Sequence, residues 1–143
     1  MSYINWTVSL GRQRFGFSHD MVLEGSDRYL ERWVLWCGAS LRLHKFHKGD
    51  DDRAFHDHPW WFLSLPLRSY LELTPGCPSK KIKAYRLHSR GSDHRHIVKL
   101  LSADPVWTVI LTGRKKREWG FWNGNKFTQA EDWLHRNTGL KTD

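Results

Sequence analysis

His56, His58 and His96 are the side chains of this sequence best placed to do chemistry together. The first two stand in His56-Asp57-His58-Pro59, behind the acidic run Gly49-Asp50-Asp51-Asp52, and the third closes His94-Arg95-His96. Side chains at i and i+2 on an extended segment project from one face of a sheet. Two imidazoles can then hold one ion from two corners, and a third from a neighbouring strand completes a facial set. Imidazole is a common ligand for zinc, iron, copper and nickel. The faces agree: His56 and His58 share theirs with Ala54, Trp60 and Phe62, and His96 shares its own with Val98 and Leu100. Three buried imidazoles without partners would cost about 1–3 kcal/mol each, and one ion satisfies all three. A mononuclear metal site of His56, His58 and His96 is therefore expected. His94, on the same side as His96, is the rival third ligand.

Other residues could complete such a site. His44, between Arg42 and Phe46, is a candidate fourth ligand or proton-carrying base. Asp52 could carry a proton, hydrogen-bond a ligand imidazole or approach the metal. Asp57, between the two motif histidines, should face away from the ion and brace the loop. Asp50 and Asp51 read as a solvated turn, and His19, His47, His88 and His135 as surface or loop residues. Trp60, just past the motif, is placed to wall a pocket. A basic run, Arg114, Lys115, Lys116 and Arg117, is either a solvated turn or an anion-binding rim, with Trp119 or Trp122 available for base stacking. Lys80, Lys81 and Lys83 form a second cluster.

The elements that must position these groups read as β. The chain has 143 residues, enough for one domain with a single core, and nine tryptophans with seven phenylalanines supply bulky core material. Residues 1–27 are mixed, with Gly11, Gly16 and Gly25 interrupting any period. Short β-type runs follow at 29–36, 40–47, 55–65, 67–73, 81–87, 95–101, 106–112 and 117–122, separated by turn residues. Pro59 and Pro66 bend the third run or set it at an edge. In 106–112, Trp107, Val109 and Leu111 face one way and Thr108, Ile110 and Thr112 the other. Asn123-Gly124 is a turn signal. Thr128 with Glu131 forms a capping box ahead of a helix over 129–136, within a tail of about 128–137. About eight strands without alternating helices predict an all-β antiparallel jelly roll, its core over about 28–122 of a single domain spanning 1–143.

Charge and cysteines bound the setting. A formal charge of +8 points to anionic company: nucleotides, nucleic acid, sugar phosphates or acidic metabolites. The two cysteines, Cys37 and Cys77, form no framework, which fits a reducing cytoplasm. No secretory leader and no apolar run of membrane-spanning length are visible, so no membrane partner is expected; a homodimer is compatible with the sequence. Several chemistries fail on spacing. A 2-oxoglutarate oxygenase needs His-x-Asp, a histidine-triad hydrolase needs a third alternating histidine where Trp60 stands, and neither paired His-x-Thr/Ser motifs nor a glycine-rich phosphate loop occurs.

The histidine pattern resembles the cupin superfamily, over roughly residues 28–122. Gly49, His56 and His58 match its first motif with a spacer one residue longer than usual, and Gly91 with His96 matches the second loosely. The glutamate expected after the second histidine is replaced by Phe62 and Leu63. The resemblance implies a three-histidine site of the kind seen in thiol dioxygenases and some other cupins, and it extends to small cupin-like proteins of bacteriophages and prophages. It implies a jelly-roll enzyme holding one divalent ion, iron(II) first and zinc, manganese or nickel after it. The expected activity is that of an iron(II) oxygenase on a small or anionic substrate. The alternatives are a metal-dependent isomerase or hydrolase, a non-catalytic module that binds a nucleotide, nucleic acid or sugar phosphate, and a structural barrel stabilised by its metal.

Overall fold

The computed structural model describes residues 1–24, 26–50 and 54–133. Thirteen strands occur among them. They are β1 (Ser2–Leu10), β2 (Gln13–Glu24), β3 (Asp27–Cys37), β4 (Ala39–Phe46), β5 (Phe55–His56), β6 (Phe62–Pro66), β7 (Tyr70–Leu73), β8 (Lys80–Ile82), β9 (His88–Arg90), β10 (Ile97–Leu100), β11 (Val106–Thr112), β12 (Gly120–Asn123) and β13 (Lys126–Gln129). A seven-stranded sheet runs in the order β1-β2-β3-β4-β11-β6-β9, and two three-stranded sheets run β10-β7-β8 and β13-β12-β5. Each pairing is antiparallel, as a jelly roll requires.

The strands follow the β-branched and aromatic runs, with one correction. Within the stretch 1–27, expected to lack periodicity, Gly25 lies outside the described residues, and Ser2–Leu10 and Gln13–Glu24 form the two long strands β1 and β2. Gly11 sits in the tight turn between them, and Gly16 lies inside β2 because a Cβ there would stand 2.0 Å from the Trp36 ring on the neighbouring strand. These glycines serve a hairpin rather than interrupting one. Elsewhere, the expected run 55–65 divides into β5 and β6 around Pro59, and 81–87 yields only the end of β8, with a turn where Tyr85 adopts a φ of 56°. The helix begins at residue 130; residues 134–137 of the expected tail lie outside the described residues. Trp133 stacks on Phe121 with ring centroids 5.0 Å apart, tying the helix to β12.

The large sheet carries apolar and polar residues on unusual sides. The outward row Trp6, Phe17, Leu35, Leu41, Leu111 and Leu63 pairs strand to strand across six strands, and Leu35, Leu41 and Leu111 are exposed. The inward face of β4 and β11 carries Ser40, Arg42, His44, Thr108 and Thr112. A small apolar cluster of Tyr70, Ile82, Val98 and Val106, with Phe46 and Leu100 against it, joins β7, β8 and β10 to the ends of β4 and β11.

Candidate metal centre

Backbone pairing brings the three histidines together. His56, on β5, and His96, just before β10, exchange reciprocal backbone hydrogen bonds of 3.1 and 3.0 Å, forming an antiparallel bridge between two sheets. His58 follows in the loop, its backbone N–H donating to the Ser92 carbonyl at 3.2 Å. The ring centroids lie 5.1 Å apart for His56 and His58, 4.6 Å for His56 and His96, and 5.1 Å for His58 and His96. One nitrogen from each of the three lies within 4.8 Å of the others. The Phe62 ring, where the cupin motif has its glutamate region, instead walls the cluster, 4.7 Å from His58 and 6.1 Å from His96.

The nitrogen geometry fits an ion. His58 Nε2 and His96 Nε2 stand 2.9 Å apart. Two nitrogens each about 2.1 Å from one ion, at a right angle, stand about 3.0 Å apart. The other nitrogen of His96, Nδ1, donates to Glu72 Oε1 at 2.8 Å, which fixes the tautomer and makes Nε2 the lone-pair nitrogen that faces His58. Burial pushes the His58 imidazole well below its ordinary pKa, and the neighbouring histidines push it further, so it stays neutral. Neutral imidazoles are the form that binds metals.

Glu72 is the residue of this cluster that the sequence pattern did not reveal. It is 4% exposed, yet its carboxylate meets Arg90 Nη2 at 2.7 Å, His96 Nδ1 at 2.8 Å and His94 Nε2 at 3.2 Å. Burial alone would raise its pKa, but hydrogen bonds from His94, His96 and Arg90 hold it well below the usual carboxylate range. The available signal was its inward position on Tyr70-Leu71-Glu72-Leu73, a charge at the site of a core residue. His94 thereby takes a different place from the three-histidine cluster. Its Nε2 is 3.2 Å from both Glu72 Oε1 and Arg90 Nε, so it either donates to the carboxylate or accepts from the guanidinium. Glu72, His94 and His96 form a second group with ligand spacing, sharing His96 with the first.

The acidic residues divide. Asp50 is no solvated turn: it is 1% exposed, accepts from the Tyr29 hydroxyl and from Val98 N–H at 3.0 Å, and lies 3.7 Å from His56 Nδ1. Gly49 beside it has no room for a Cβ, which would come within 2.9 Å of the Val98 carbonyl oxygen. Asp52, with Asp51, lies outside the described residues, as does His135. Asp57 points away from the histidine cluster and is 1% exposed. It accepts from Arg117 Nη2 at 2.8 Å, Gly120 N–H at 2.9 Å and Trp122 Nε1 at 2.9 Å, clamping the motif loop to β12.

That clamp revises the basic run. Arg117 is engaged by Asp57 and by the Ser92 carbonyl at 3.1 Å, and exposed Lys115 pairs with Glu118 at 2.7 Å. The run lies against the motif loop, with Gly113 N–H donating to the Trp61 carbonyl and Lys116 N–H to the Pro59 carbonyl; Arg114 and Lys116 are exposed. Trp122 has no free face for a base on one side, because the Arg95 guanidinium sits 3.3 Å from its ring centroid. His19 and His88 lie on strands, His19 stacked on Trp33 with ring centroids 4.6 Å apart and bonded to Glu31, and His47 is half-buried.

His44 faces the interior from β4, with both ring nitrogens shielded from solvent and without a hydrogen-bond partner. The hydroxyl of Thr108, its cross-strand neighbour, is also buried and unpartnered. Burial, then the charges of Arg42 and Arg32, push the His44 pKa down to about 3. His44 is thus a neutral hydrogen-bonding group near pH 7 and carries no cationic proton there.

No family model matches the chain, and no curated protein is similar to it in sequence. Solved structures are similar in fold. A cupin-2 domain from Rhodospirillum rubrum superposes with a TM-score of 0.59 at 13% identity, over 76% of each chain. The iron(II) form of HppE gives 0.57 at 7% identity, over 67% of this chain and 56% of that one. Ectoine synthase from P. lautus gives 0.51 at 10% identity, over 66% and 68%. The chain spans about half the length of several structures that it matches, HppE among them. Antiparallel sheets wrapped around inward histidines, superposing on these jelly rolls, give this chain the cupin fold.

Proposed function

We propose that His56, His58 and His96 hold one divalent ion, iron(II) foremost, and that the chain is a metal-dependent enzyme acting on a small molecule. The observation that carries this reading is the 2.9 Å approach of His58 Nε2 and His96 Nε2, with the far side of His96 fixed by Glu72. Three neutral protein ligands leave open positions for exogenous groups, unlike the closed four-ligand sites of structural zinc. A bound iron(II) would supply Lewis acidity and the redox chemistry of an oxygenase. The residues of the chain supply the rest. Glu72 orients His96, Phe62 keeps water from one flank of the cluster, and His44 offers a neutral imidazole nitrogen to a substrate group. The iron(II)-bearing HppE shares the fold and supports iron over other ions.

Metal analysis of protein purified without oxygen tests the proposal. One iron per chain is expected, with loss of stoichiometric metal in His56→Ala and in His58→Ala. Full metal content in either variant would refute the ligand set, and tightly held zinc in place of iron would move the reading to hydrolysis or isomerisation.

A further inference from the structure

The cluster of inward polar groups on β4 has chemistry that the histidine centre does not use. Arg42 lies two residues before His44 on the same face, and its guanidinium stacks over the Trp60 ring at 4.2 Å. Its Nε donates to Ser40 Oγ at 2.8 Å, and Ser40 in turn bonds Thr112 Oγ1 at 2.6 Å. Among the described residues, Nη1 and Nη2 of Arg42 have no hydrogen-bond partner. The other inward arginine of this sheet, Arg32, is already neutralised by Asp20 at 2.6 Å. Arg42 is therefore a half-buried cation fixed by stacking and by one hydrogen bond, with its outer fork unused. Burial, then Arg32, lowers its pKa to about 10, and it remains charged near pH 7. The neighbouring His44 nitrogens and the Thr108 hydroxyl are also unpartnered.

Strand register carries this group toward the histidine centre. Trp60 lies between His58 and Phe62, and Phe62 is paired through Thr112 with Ser40, the residue that holds Arg42. The Phe62 ring packs on His58. An anion on the Arg42 fork would thus lie on the side of the barrel that the metal-binding face looks into.

We propose that Arg42, backed by Trp60 and accompanied by His44 and Thr108, is a subsite for a carboxylate group of the substrate, which the ion at the histidine centre would then engage at another atom. The planar guanidinium fork matches a carboxylate with two parallel hydrogen bonds. One uncompensated cation balances one negative charge, which favours a carboxylate over a dianionic phosphate. The inference rests on the metal-centre reading only for what happens beyond the subsite; the anion site itself stands on Arg42, Trp60, His44 and Thr108.

The test uses metal-free protein labelled with nitrogen-15 at arginine, titrated with sodium propionate and, separately, with inorganic phosphate. Propionate should shift the Arg42 Nε resonance saturably and bind more tightly than phosphate. Arg42→Lys should weaken propionate binding about tenfold, because the ammonium keeps the charge and loses the fork. Arg42→Gln should abolish it, while Lys115→Glu with Lys116→Glu leaves it unchanged. Cobalt(II) stoichiometry is measured separately and should match the parent in every variant. Absence of a saturable shift in the parent overturns the subsite, as does unchanged affinity in Arg42→Lys or Arg42→Gln. Tighter binding of phosphate overturns the carboxylate assignment. If Arg42→Gln fails to fold, the parent titration and Arg42→Lys decide alone. Loss of cobalt binding in the parent with propionate binding intact would refute the metal centre and leave the subsite standing.

Discussion

Replacing Glu72 with glutamine tests whether the buried carboxylate tunes the histidine centre. The substitution preserves shape and removes charge. The carboxylate accepts from Arg90 Nη2 at 2.7 Å and from His96 Nδ1 at 2.8 Å, and its Oε1 lies 3.2 Å from His94 Nε2. An amide has one acceptor oxygen, so its NH2 must face a donor, either Arg90 Nη2 or His96 Nδ1–H. If it faces His96, that ring loses both its tautomer preference and part of its basicity. The reciprocal backbone bonds with His56 still hold the ring's root in place, so orientation and basicity change while position does not. Outer partners of ligand histidines are worth 10–100-fold in metal affinity. We expect about a 30-fold loss here, close to 2 kcal/mol. Competition for cobalt(II) or zinc(II) against a chromogenic chelator reads this directly on folded protein. An affinity within about twofold of the parent would refute the coupling between Glu72 and the ion. His94→Ala separates the two overlapping groups: affinity should hold within a few-fold if the ion sits among His56, His58 and His96, and collapse if it sits among Glu72, His94 and His96.

Two further outcomes follow from the buried groups around the centre. His44 has a folded pKa of about 3, below the ordinary value near 6.5, so the unfolded chain takes up the proton first. Its contribution to stability is full above about pH 6.5 and is lost at about 1.4 kcal/mol per pH unit as the pH falls toward 3; urea unfolding of His44→Leu at pH 6.5 and pH 5 should show a decline about 2 kcal/mol smaller than the parent's, and equal declines would contradict the buried, neutral imidazole. Asp57→Ala should cost about 3–5 kcal/mol in the same assay, because it leaves the half-buried Arg117 and the Trp122 indole N–H without their acceptor, whereas Lys115→Ala, which breaks an exposed pair, should change stability by less than about 1 kcal/mol.

The sequence made the β class and the strand over 106–112 legible because β-branched and aromatic residues occur there in uninterrupted runs. It was blind to β1 and β2 because Gly16 looks like a breaker in one dimension and is a space for Trp36 in three. The proximity of His56, His58 and His96 was legible through their two-residue period and apolar neighbours. Glu72 was not, since the contacts that make it matter come from residues 18, 22 and 24 positions away and leave no local pattern. The basic run shows the opposite failure. Four adjacent charges read as one patch, but Arg117 is held by an aspartate sixty residues distant, and adjacency in sequence said nothing about that.

The pleat at His56-Asp57-His58 separates two kinds of evolutionary freedom. The outer positions of the triplet face the interior, and the middle one faces the scaffold, where it ties the loop to Arg117, Gly120 and Trp122. Ligand identity can therefore drift without loosening the loop, provided that the middle aspartate stays. A lineage descending from this chain could exchange an imidazole for a carboxylate, change its metal preference, and still inherit an intact frame. The same frame should also survive complete loss of the ligands, leaving a barrel able to keep its shape while its chemistry is rewritten.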